Sequence, residues 1–160
     1  MEGLFLLLVS ALLFIHGWYL LGLFTDARTM GISSGAIAAA LLLITMAEGI
    51  STPILIAPDA ISLITAVKGL ILLWVVYAAA LAAHGLWGFE ERVLGLHSLL
   101  IWVVSLVLVG LPWRFSEAQV STPAAILMSV AFFVLAIDAA MIFFHQTFRF
   151  RHIRGVTGWF

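Results

Sequence analysis

The chain has 160 residues, 64% of them hydrophobic and 9% charged, with a mean hydropathy of +1.23. A soluble domain of this size needs more polar surface than that, and a formal net charge of −1 gives no electrostatic footprint for nucleic acid. There is no cysteine, which excludes disulfides, thiolate metal sites and cysteine nucleophiles.

The first apolar run spans 3–24 and is interrupted only by His16. At about 22 residues a helix rises about 33 Å, enough to cross the hydrocarbon core of a bilayer. It is too long for the core of a signal peptide, and neither a basic leader nor a small-residue cleavage site accompanies it. A short polar joint, TDART, leads to a second span over 31–50 (GISSGAIAAALLLITMAEGI). This span is rich in Gly, Ser and Ala, the residues that let helices approach closely in lipid. The third span, 60–84, carries Lys68, Trp74 and Tyr77. The fourth covers 94–112, from near His97 to Pro112, and the fifth 123–146, opening after Ser121-Thr122-Pro123, a helix-start signal. Short joints imply antiparallel neighbours. The expectation is therefore an all-α, polytopic integral membrane bundle of about five helices, one domain over 1–160 with a basic cytoplasmic tail at 147–160.

Placing the N-terminus outside and the C-terminus inside puts Arg28, Arg92, Arg149, Arg151 and Arg154 on the inner side and leaves only Arg114 in the outer loops, as the positive-inside rule requires. This suits a bacterial inner membrane. Trp87, Trp113 and Trp159 then fall at the interfaces, while Trp18, Trp74 and Trp102 lie deeper.

Ionisable groups inside spans are costly and are the first candidates for function. Glu48, near the outer end of the second span, and Lys68 in the third are placed to pair at the outer mouth. The bland alternatives are a pair that only pins two helices, or a Lys68 that snorkels to the headgroups. His16 and Asp138 each lie about eight residues from the inner end of their spans, which predicts a hydrogen bond between the first and fifth helices. Such a pair is either a proton relay and pH sensor or a plain helix tie. His84 and His97 flank GFEERV with Glu90 and Glu91, in a spacing that fits no zinc or di-metal pattern. Haem or chlorophyll ligation by His16 or His97 is the remaining cofactor option, set against ordinary packing roles; no other cofactor is expected. No phosphate loop, dinucleotide fingerprint, serine elbow or HExxH motif occurs, so no enzyme is expected.

The stretches HGWYLLGLFTDART, WVVYAAALAAHGLWGFEERVLGLHSL and RHIRGVTGW, in this order and separation, resemble the AmiS/UreI family of acid-activated urea channels and short-chain amide transporters. Gly17, Gly22, Asp26, Arg28, Thr29, Gly88, Phe89, Glu90, Gly95, Ser98, Thr157, Gly158 and Trp159 fall on that family's patterns. The resemblance implies an outside N-terminus, a ring-shaped homo-oligomer and a pore in each protomer, lined by aromatic and aliphatic side chains that admit small neutral amides. The chain departs from the family pattern at several points. His16 stands where the family has Asn, Ala78 where a Tyr is expected, and the fifth span has no tryptophan. Family protomers have six helices, and Phe160 falls where the sixth would begin.

Two functions follow as expectations. One is a facilitator for urea, short amides or similar neutral solutes, with Trp18, Trp74 and Tyr77 lining the path, His16 and Asp138 tuning its inner half, and Glu48 and Lys68 its outer mouth. The other is a non-conducting accessory subunit of a respiratory or photosynthetic complex, docking through the small-residue second span and the apolar fourth. The partners expected are membrane lipids and either further copies or other transmembrane subunits, with no nucleic acid.

Overall fold

A computed structural model describes residues 2–23, 26–51, 58–114 and 121–148, and the side chains of 4–23, 26–47, 66–90, 92–114 and 121–148. Five helices follow one another: α1 (Glu2–Leu21), α2 (Ala27–Ser51), α3 (Pro58–Trp87), α4 (Glu91–Val109) and α5 (Thr122–Phe148), with a 3-10 turn at Pro112–Arg114. All five are long and apolar enough to cross a membrane.

The helix ends have local causes. Gly22, at φ +72°, closes α1 with a paired motif: its amide donates to the Tyr19 carbonyl and that of Leu23 to the Trp18 carbonyl, each at 3.0 Å. The helix thus stops three residues before the expected 24. Asp26 caps α2, its Oδ1 accepting from the Thr29 amide at 2.5 Å, so α2 starts at Ala27 and not at 31. Gly88, also at φ +72°, ends α3 by donating to the His84 carbonyl at 2.8 Å. The His84 Nδ1–H donates to the Phe89 carbonyl and pins the same turn. Residues expected in the third joint, Arg92 and Val93, belong to the first turn of α4. Pro112 follows the end of α4, and Trp113 Nε1–H donates to Ser129 Oγ at 2.9 Å, while Ser129 donates to the Val109 carbonyl at 2.8 Å. This chain of bonds ties the turn after α4 to α5.

Two hairpins form the body, α2 with α3 and α4 with α5; α1 packs on α2 and α3, and α3 meets α4. Glycines set the spacing within each hairpin. A Cβ on Gly85 would lie 2.3 Å from the Ala27 carbonyl oxygen and 2.8 Å from the Gly31 Cα, so α2 and α3 touch backbone to backbone there. A Cβ on Gly95 would meet Thr147 Oγ1 at 2.4 Å, the matching close approach of α4 and α5. Gly31 and Gly35, four residues apart, put both glycines of a small-xxx-small face against Ala82 and Gly85. That small-residue face of the second span, expected as a docking surface for other subunits, is spent inside the protein. Large apolar side chains point outward instead: Leu7, Phe14, Leu43, Val107 and Leu127 are between 60% and 71% exposed.

Candidate functional site

Two buried polar side chains from different helices, Tyr77 and Gln146, converge on one residue of α1. His16 is 3% exposed; its Nδ1 lies 3.1 Å from the Tyr77 hydroxyl of α3 and its Nε2 3.5 Å from Gln146 Nε2 of α5. With the Gln146 amide donating to Nε2, the neutral ring carries its proton on Nδ1 and donates to the Tyr77 oxygen. His16 therefore links α1 to both hairpins. Gln146 also faces the Tyr77 hydroxyl, while its Oε1 is buried outside hydrogen-bonding geometry.

Around this node the aromatic rings are ordered. Trp74 meets Tyr77 edge-on at 5.6 Å, and His97 of α4 stacks on Tyr77 at 6.5 Å with an interplanar angle of 17°. His97 Nε2–H donates to the Leu73 carbonyl at 3.0 Å. Trp74 and Tyr77 are fully buried, and the Trp74 Nε1–H is buried without an acceptor among the described residues. His84 and His145 stand within electrostatic reach of His16. Four histidines thus gather toward the end of the bundle that carries Asp26 and the α3–α4 joint.

Between α1 and α5 runs a small cleft lined by Leu13, His16, Gly17, Leu20, Asp138, Met141 and Ile142, with room for about one water molecule. Asp138 is 8% exposed and, among the described residues, makes no hydrogen bond or ion pair. The structure thus brings His16 and Asp138 to one cleft, but the expected hydrogen bond between them is replaced by those of His16 to Tyr77 and Gln146. The physical reason is register: α1 ends at Leu21 and α5 runs on to Phe148, which sets His16 level with Gln146.

The other expected residues scatter. Trp18 is 37% exposed and tilts against Phe14 on the outer surface of α1, away from the Trp74–Tyr77 layer. Lys68 is half-buried and forms no ion pair among the described residues, while the Glu48 side chain, its expected partner, lies outside them. Axial ligation of a haem or chlorophyll by His16 would require breaking its contact to Tyr77 or Gln146, and His97 already spends Nε2 on Leu73. Gln146 is the residue that the sequence reading missed. Its signal was a lone amide in the last turn of an apolar helix, one residue from His145. No family model, curated protein or solved structure matches the chain.

Proposed function

We propose that the chain spans a bacterial inner membrane with its N-terminus outside, and that it is a facilitator for small neutral polar solutes such as urea and short amides. The reading continues the AmiS/UreI resemblance. The observation that carries it is the layer of His16, Tyr77 and Gln146, three hydrogen-bonding side chains from three helices at one depth, beside a cleft that holds the Asp138 carboxyl. Polar groups at that depth are costly in a purely structural bundle, and they offer donors and acceptors to a solute that has left water. Apolar walls oppose ions through desolvation. Trp74 and Tyr77 fill the centre, so passage through the bundle requires their rings to yield.

That closed centre also favours a second reading, an accessory subunit of a larger membrane complex. Stopped-flow urea and acetamide uptake into proteoliposomes separates the two. Uptake above the lipid baseline, changed by Trp74→Ala, is expected of the facilitator. Uptake equal to protein-free vesicles, together with unrelated chains co-purifying in fixed ratio, supports the subunit.

A further inference from the structure

The face of α4 and α5 that looks away from the His16 layer has a pattern of its own. Gly95 and Thr147 meet where the two antiparallel helices approach most closely, and they mark the seam between them. Arg92, three residues before Gly95, and Phe144, three before Thr147, turn to the same side of that seam. Leu96 and Phe148, each four residues further along, continue that side, and all four side chains are exposed. Gln146, which reaches His16, turns to the other side. The rings of Phe144 and Phe148 stack with centroids 6.1 Å apart, and Trp102 tilts against Phe144 at the same distance. An aromatic wall thus lines the hairpin, with a guanidinium at the end that carries the α3–α4 joint.

That end bears the marks of a membrane surface. Trp87, 71% exposed, stands at the close of α3 just before Arg92, as indoles do at headgroup level. Arg92 has no hydrogen bond or ion pair among the described residues. Directly after Phe148 the sequence reads RFRHIR. Chain length alone keeps Arg149, Arg151 and Arg154 within about 4, 11 and 22 Å of the end of α5. With Arg28, these are five of the six arginines, set against the carboxylates of Asp26, Glu90 and Glu91, and Asp26 is committed to the cap of α2. Membrane orientation asks only for an excess of positive charge in the inner loops; it does not ask for an exposed aromatic wall beside that charge.

We propose that this corner of α4 and α5 binds an anionic phospholipid. Arg92 and the arginines that follow Phe148 engage the headgroup phosphate, and the acyl chains lie along Leu96, Phe144 and Phe148. Guanidinium groups grip phosphate oxygens in pairs, and a headgroup without an ammonium of its own leaves them unopposed. The wall of rings favours a lipid over free phosphate, which has nothing to lay against it. The proposal rests on the membrane location proposed above and is independent of solute passage.

The test is native mass spectrometry of the full chain in mild detergent, titrated with dioleoyl phosphatidylglycerol or with phosphatidylcholine of the same acyl chains. Phosphatidylglycerol is expected to be retained in preference, and its affinity to fall about fivefold for each arginine removed, in Arg92→Gln and then in Arg149→Gln and Arg151→Gln. Arg92→Lys, which keeps the charge and loses the fork, is expected to fall in between. Arg114→Gln, at the opposite end of the bundle, is expected to bind as the natural chain does. Phosphatidylglycerol with a photoreactive group on an acyl chain is expected to mark α4 and α5 near Leu96 and Phe148. That mark is expected to be lost when Phe144→Ala and Phe148→Ala are combined. Equal retention of the two lipids overturns the proposal, as does binding unmoved by Arg92→Gln or an adduct spread evenly over all five helices. Full competition by inorganic phosphate would make this a plain anion site and overturns it too. A protein that sits in membranes without this preference fails the present inference alone, whereas one absent from membrane fractions fails the location on which it rests.

Discussion

At the scale of single residues, the interior is organised by hydrogen bonds that cross between helices, and the turns by bonds that stay local. Asp26 is the clearest local case. The Thr29 amide bonded to it holds its carboxyl below the usual carboxylate range, with a further contribution from the Thr29 side chain and Arg28. A folded-state value below the unfolded one contributes stability that is complete above the usual carboxylate range and is lost as pH falls through the lowered value. Melting of the detergent-solubilised protein is therefore expected to fall as the pH enters that acid window. Asp26→Asn, which keeps a capping oxygen without the charge, is expected to lose this acid-dependent fall. Equal acid sensitivity in both proteins would assign the effect to another group. His16 is the cross-helix case, and its partners could not be read from depth alone. Equal counting from the expected span ends put Asp138 opposite it. The actual ends, set by Gly22 on α1 and by the continuation of α5 to Phe148, put Gln146 there instead.

At the scale of helices, the number and order of elements were legible because five apolar runs of bilayer length leave little else for the chain to form. Their ends were less legible, since single residues such as Asp26 and Gly88 decide whether the chain continues for another turn. Which face of each helix packs was hidden because the runs are apolar all round, so no polar stripe marks the outside. The glycines carried that information. Their positions predict unequal costs: Gly85→Ala must push α2 and α3 apart, since its Cβ would lie 2.3 Å from a backbone oxygen. Gly35→Ala meets only the Ala82 Cβ, at 3.5 Å. Overpacking of the first kind costs about 1–3 kcal/mol or more. Unfolding curves in mild detergent are expected to show a marked loss for Gly85→Ala and little change for Gly35→Ala. Equal losses would mean that the crossing is looser than this geometry.

At the scale of the whole molecule, the surface is inverted relative to a water-soluble protein. Side chains such as Leu43 and Val107 face outward, while His16, Ser34, Ser98, Ser105 and Gln146 are buried. The proposed orientation is accessible to experiment because the natural chain has no cysteine. Phe89→Cys and Ser121→Cys each introduce a single reporter in an exposed position, at opposite ends of the bundle. A membrane-impermeant maleimide applied to intact cells is expected to label the Ser121→Cys protein and to reach the Phe89→Cys protein only after permeabilisation. The reverse pattern would place the N-terminus inside. The candidate site was half legible at this scale. His16, Trp74, Tyr77 and Asp138 were all singled out by chemistry and depth, but their grouping depends on how two hairpins and α1 close around one another, which no run of sequence encodes locally.

Both glycine contacts, Gly85 on Ala27 and Gly31, and Gly95 on Thr147, lie toward the same end of the bundle, the one that carries the α3–α4 joint. In each hairpin the chain connection joins the two helices at one end and the glycine contact joins them at the other, so α2 with α3 and α4 with α5 are each clamped at both ends. Neither contact involves α1, so any change in the gap between α1 and α5 moves whole hairpins against α1 and leaves the spacing inside each hairpin unaltered.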